Sequence, residues 1–235
     1  MMDQKVYEIT TLENGQILVQ EKDDSMFPSV SVDLSDDQDL EINENVTGTL
    51  KERILNDDIQ IIDIMCLYTP ESICHGHETG CTIQSQYYID LMDEKCELAI
   101  TETNTAFTQS GVSSRLRLVH SGMLSQESFV EEQYMCTVLK EIKNGNDAYS
   151  EIHDLRDQYG ADLVTILAKN MTHLDATTNE EFRVCGCGNM YNSKSKNAYS
   201  IVDKECAINK FSVAHEIGEC FCMKSPSNLI IYTAK

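Results

Sequence analysis

Ile59-Gln60-Ile61-Ile62-Asp63-Ile64-Met65-Cys66-Leu67-Tyr68, closed by Thr69-Pro70, decides the fold class. Apolar side chains follow one another here instead of alternating with polar ones, so both faces of the extended chain need cover. That is the pattern of a buried central strand. Ala161-Asp162-Leu163-Val164-Thr165-Ile166-Leu167 reads as another. Between the two, Ile89, Met92, Cys96, Ala99, Thr103 and Ala106 recur at three- and four-residue intervals and predict a long amphipathic helix. Arg115-Leu116-Arg117-Leu118-Val119-His120 alternates strictly, as a half-exposed strand at a sheet edge would. Residues 137–159 are helical in pattern, with Gly145 dividing them, and 171–197 are polar and irregular. Tyr199-Ser200-Ile201-Val202 predicts a short strand before a last helix, Phe211 to about Cys220. Helices alternating with strands give a layered α/β domain.

Charge is unevenly spread. The chain of 235 residues has a formal net charge of -21, with 39 acidic against 18 basic side chains. Nucleic acid and anionic membranes would repel it, which argues against both as partners. Residues 1–58 hold 15 acidic and 4 basic side chains, net -11, so a boundary is expected near residue 58. Within that stretch Val6 to Ile9 and Gln16 to Gln20 suit short strands around the Asn14-Gly15 turn. Ser31 to Glu44 is too acidic to pack tightly and reads as a linker.

Ten cysteines point to disulfides and an oxidising compartment. The glycosylation sequons at Asn45 and Asn170 agree. Met1-Met2-Asp3-Gln4-Lys5 leads into polar residues with no apolar signal core. The chain is therefore cytosolic or has an incomplete N-terminus, and the cysteines favour the second. No later segment reads as a membrane span.

The sharpest chemical signal is Ala214-His215-Glu216-Ile217-Gly218, preceded by Phe211-Ser212-Val213. Zinc proteases place two histidines four residues apart on one helix face, with a glutamate beside the first as general base. His215 and Glu216 suit the first ligand and the base. A bare His-Glu pair is common, so its context has to decide.

That context is a set of segments in a fixed order. Asp63 to Pro70 comes first, then Glu102-Thr103-Asn104 with Ala106-Phe107 and Ser110-Gly111-Val112, then Arg115 to His120. His153-Asp154-Leu155-Arg156-Asp157-Gln158-Tyr159-Gly160-Ala161-Asp162-Leu163-Val164 follows, then Cys185-Gly186-Cys187-Gly188, Cys206-Ala207 and Phe211 to Gly218. Together they resemble the reprolysin-like metzincins, above all the peptidyl-Asp metallopeptidase type. The resemblance implies a mixed sheet with a long backing helix and an active-site helix, over residues 59–218. It implies a secreted zinc endopeptidase acting on protein or peptide substrates, in which the metal polarises the scissile carbonyl and its water and Glu216 takes the proton. It also gives residues 1–58 the position of a propeptide, though no cysteine precedes Cys66 to put a thiol on a metal.

The family motif runs H-E-x-x-H-x-x-G-x-x-H, with a later methionine turn. Carried over, the second histidine falls on Glu219, the glycine on Cys222 and the third histidine on Ser225. Met223 comes too early for the methionine turn. Residues 219–235 read as an unrelated tail, with the motif truncated and the C-terminal subdomain missing. Glu219 is at best a doubtful second ligand, so zinc is expected weak or absent and the chain inactive. His173 and the His75-Gly76-His77 pair read as exposed loop histidines, His120 as a strand-end residue and His153 as a helix-surface one.

A structural zinc on Cys185, Cys187 and Cys206 is the lesser alternative to a disulfide of Cys206 with Cys187 or Cys185. Cys74 with Cys81 would close the earlier loop. Two functions from different classes remain: a metalloendopeptidase, and a non-catalytic secreted domain that binds protein on the same scaffold.

Overall fold

The computed structural model describes residues 59–76, 81–125, 134–169, 171–174, 181–188 and 198–218, together with the backbone of 6–11, 17–22, 32–33 and 219–220. Strands β1 (Val6–Thr11) and β2 (Ile17–Lys22) form an antiparallel hairpin, as the turn signal predicts. Asn14, Asn45, His77, Asn170 and the tail from residue 221 lie outside the described residues, as does the side chain of Glu219.

One six-stranded mixed sheet organises the rest. Its strands are β3 (Val32–Asp33), β4 (Ile61–Tyr68), β5 (Arg115–Met123), β6 (Leu163–Ala168), β9 (Gly186–Gly188) and β10 (Tyr199–Asp203), in the order β3-β9-β10-β6-β4-β5. All neighbours are parallel except β9 and β10. A separate hairpin joins β7 (Thr172–Leu174) to β8 (Glu181–Arg183).

Among the described residues five α-helices flank the sheet. These are α1 (Pro70–Cys74), α2 (Gln86–Gln109), α3 (Met135–Lys143), α4 (Ser150–Tyr159) and α5 (Ser212–Cys220). Their placement explains the unbroken apolar runs. Ile64, Cys66 and Tyr68 turn into a core shared with Met92, Cys96 and Phe107 of α2 and with Val213 and Ile217 of α5. Met65 and Leu67 turn the other way, into a core shared with Val138, Leu139 and Ile142 of α3 and Ile152 of α4. From Ile64 to Tyr68 strand β4 therefore has no solvent face, which is why polar residues are absent there. Among the described residues no helix is long and apolar enough to cross a membrane.

Polar groups lock the layers in register. Arg117 on the edge strand donates to both oxygens of Asp63, each at 2.7 Å, directly across the β4–β5 ladder. The guanidinium holds the Asp63 carboxyl below the usual carboxylate range. The Asn104 side chain donates to Leu116 O at 2.9 Å and accepts from Leu116 N at 2.7 Å, tying α2 to β5. Arg156 donates to the Tyr199 hydroxyl at 3.0 Å, and His153 Nδ1 lies 2.9 Å from the same oxygen. His153 Nε2 faces the Ile142 carbonyl at 2.9 Å, so Nε2 carries the proton and Nδ1 accepts from the tyrosine. His153 is thus the middle of a relay joining α3, α4 and β10, and its reading as a plain helix-surface residue is corrected.

Three further expectations change. The stretch 171–197 is not wholly irregular, for it contributes β7, β8 and β9, each too short to show a period. The acidic stretch from Ser31 puts Val32 and Asp33 into the sheet as β3, beside Cys187 and Gly188. Backbone pairing is indifferent to the charge that argued for a linker. Thr69-Pro70 closes β4 but also opens α1, with Thr69 Oγ1 accepting from Ser72 N at 3.1 Å and Pro70 in the first turn.

Two histidines couple this packing to pH. His120 stacks on Tyr159, ring centroids 3.8 Å apart, and burial pushes its imidazole pKa down. Burial, aided by the charge of Lys204, does the same to His75. The unfolded chain takes these protons at about pH 6.5 while the folded chain resists them. Their contribution to stability is therefore intact above that pH and lost as pH falls below it. The thermal midpoint should drop between about pH 7.5 and about pH 5.5, and His120→Gln with His75→Asn should flatten that drop. An equally steep drop in the double variant would contradict the assignment.

Candidate active site

The segment from β10 into α5 builds the site. Asp203, at the end of β10, is fully buried. Its carboxylate accepts from Met171 N at 3.1 Å, Glu205 N at 2.9 Å and Arg183 Nη2 at 3.2 Å. The turn that follows contains two non-glycine residues with positive φ, Asn209 at 68° and Phe211 at 54°. Asparagine tolerates that region and phenylalanine rarely occupies it, so the turn has to be held from outside. Glu102 of α2 does this, accepting from Asn209 N at 2.9 and 3.1 Å. Burial raises the Glu102 pKa. Glu102 sits in a quoted motif, but nothing in that motif identified it as the anchor of a turn 107 residues away.

Helix α5 packs on α2 and on β9 and β10. Ser212, Val213, Ala214, Glu216, Ile217 and Gly218 are buried, which leaves His215 as the half-exposed member of the run 212–218. The helix thereby presents His215 outward and carries Glu216 inward. Glu216 reaches the bare Cα of Gly186 on β9, and a methyl group there would come within 2.5 Å of Glu216 Oε1. Within Cys185-Gly186-Cys187-Gly188, the approach to the helix, no pattern in the sequence signals this contact.

Among the described residues four cystines surround this framework: Cys66–Cys96, Cys74–Cys81, Cys136–Cys187 and Cys185–Cys206. Cys206 takes Cys185 of its two expected partners. Cys187 bonds Cys136 instead, so these sulfurs are not open to a structural zinc. Cys136 and the Cys66–Cys96 pair gave no signal in the sequence, because in helix and strand they sit where ordinary core residues would.

Among the described residues, those named for a metal do not come together as a ligand set. Among the described residues no group of three or more His, Cys, Asp or Glu side chains could hold a metal ion. His215 and Glu216 adjoin on α5, while His173 lies on the β7–β8 hairpin against Phe182. His75 caps the end of α1. Glu219 adds no described side chain to this set.

The Metallo-peptidase family M12B Reprolysin-like profile matches residues 94–223. A peptidyl-Asp metalloendopeptidase of Pseudomonas aeruginosa is 30% identical over 169 residues, covering 67% of this chain and 24% of that protein. Proteins of the same name from Xanthomonas campestris and Stenotrophomonas maltophilia are 29% and 28% identical over 128 residues, 54% of this chain and 27% of each. The matched region thus spans about a quarter of the length of these relatives. A solved chain from a chaperone–substrate complex superposes with a TM-score of 0.46 at 15% identity, covering 69% of this chain and 26% of that one.

Removing the Glu102 anchor should loosen the delivery of α5. Glu102→Ala is expected to lower stability by about 1–2 kcal/mol, the cost of leaving a backbone donor without its charged acceptor. It should also speed amide exchange across residues 209–218. Urea denaturation with exchange mass spectrometry checks both, and unchanged exchange there would contradict the role.

Proposed function

Because this chain belongs to the reprolysin-like metallopeptidases of family M12B, we propose that it is a metalloendopeptidase scaffold whose own metal centre is incomplete. Its lineage chemistry is zinc-dependent hydrolysis of peptide bonds in protein substrates, with His215 as the first metal ligand and Glu216 as the general base. The observation that carries the reading is the arrangement on α5, a half-exposed histidine followed by a buried glutamate on a helix packed against the sheet. The reading of incompleteness is supported by the residues at the other motif positions, Glu219, Cys222 and Ser225. A usable zinc site needs three protein ligands and an open position.

Two companion readings have support of their own. Residues 1–58 act as a propeptide-like segment, in keeping with the pairing of Val32 and Asp33 along β9, the strand that touches Glu216. Secretion fits four cystines in one domain.

The purified chain should keep far less than one zinc after dialysis and show no chelator-sensitive cleavage of casein. Stoichiometric zinc with such cleavage would overturn the reading. The family scaffold is tested by repair. A complete downstream segment grafted after Gly218, with His at positions 219 and 225 and Gly at 222, should restore zinc and activity. In the repaired chain Glu216→Ala should slow cleavage by about a hundredfold or more with zinc retained, and His215→Ala should lose both. A repaired chain that cleaves equally well without Glu216 would contradict the role of the base.

A further inference from the structure

Gly186 occupies a place where room, not backbone freedom, calls for glycine. It lies in strand β9 without a positive φ, so any residue could adopt its conformation. A Cβ there would stand 2.5 Å from Glu216 Oε1 and 2.9 Å from both Cδ and Cγ. Real Cβ atoms do not approach so closely, and Glu216 is fully buried, so its side chain has no solvent to swing into.

The strand that carries Gly186 is only three residues long, pairing Gly186, Cys187 and Gly188 with β10. So short a ladder fixes a position poorly by itself. Two cystines supply the rest. Cys187 is bonded to Cys136 at the start of α3, in the core on the far side of the sheet. Alternation along a strand then turns Gly186 the opposite way, towards α5. Cys185 is bonded to Cys206, in the turn that leads from β10 into α5. The second cystine thus ties the strand to the same turn that delivers the glutamate.

We propose that Gly186, pinned by the Cys185–Cys206 and Cys136–Cys187 cystines, is a positioning residue that sets where the Glu216 carboxylate sits. Its catalytic meaning rests on the metallopeptidase reading, whereas the contact itself does not. The test uses the full chain with its cystines intact, in a double-mutant cycle of Gly186→Ala with Glu216→Ala read by thermal melting. Gly186→Ala should lower the midpoint by roughly 3–10 °C when Glu216 is present. It should lower it by less than half as much in the Glu216→Ala chain, where the clash is gone.

A second readout separates positioning from simple loss of stability. The infrared carboxylate band that disappears on Glu216→Ala should shift in the Gly186→Ala chain. It should not move in Ile152→Val, a core change in the other layer that also costs stability. Equal losses of midpoint in both backgrounds would overturn the proposal. So would an unmoved band, or a Gly186→Ala chain that fails to fold and is not rescued by Glu216→Ala. An inactive repaired chain would instead sink the protease reading and leave this coupling as measured.

Discussion

A strand such as β4, with Ile64, Cys66 and Tyr68 turned into one core and Met65 and Leu67 into the other, can exist only between two helical layers. The sheet therefore has to be covered on both faces before any of its strand ends can carry a site. Helices α2 and α5 cover one face, and α3 and α4 the other. Helix α5 is thus a structural layer first. Val213 and Ile217 fix its rotation by packing with α2, and that rotation turns His215 out and Glu216 in.

The turn before α5 is where the cost of this arrangement concentrates. Phe211 takes a left-handed conformation that a bulky residue avoids, and Asn209 does so beside it. Glu102 from α2 and the Cys185–Cys206 cystine hold that turn from two sides. The glutamate at the centre is positioned by backbone as much as by side chains, since the bare Cα of Gly186 leaves the space it fills. The family model that matches residues 94–223 spans α5 and its adjacent His215 and Glu216. At residue 219 the sequence has glutamate where the proposed zinc motif calls for its second histidine.

Much of the layered fold was legible because its strands are long and doubly buried. Ile59 to Tyr68 and Ala161 to Leu167 announced β4 and β6, and the spacing of Met92, Cys96, Ala99 and Thr103 announced α2. Strands β7, β8 and β9 were not legible, since three residues carry no period and Gly-Cys-Gly has none of the β-branched side chains that mark a strand. The pairing of Val32 and Asp33 with β9 was hidden for a different reason. It uses backbone groups, and an acidic composition speaks only of side chains. At the site, His215 and Glu216 stood out by adjacency and context. Gly186 and Glu102 did not, because their roles are contacts across 30 and 107 residues of sequence.

A metallopeptidase scaffold whose own residues fall short of a zinc site, as proposed above, makes a definite prediction for the crystal. An anomalous difference map, measured at the zinc absorption edge on crystals grown with excess zinc, tests it most directly. The expected map has no fully occupied zinc joined to His215 and two further protein side chains. A full-occupancy peak beside His215 with two more protein ligands in tetrahedral arrangement would contradict it.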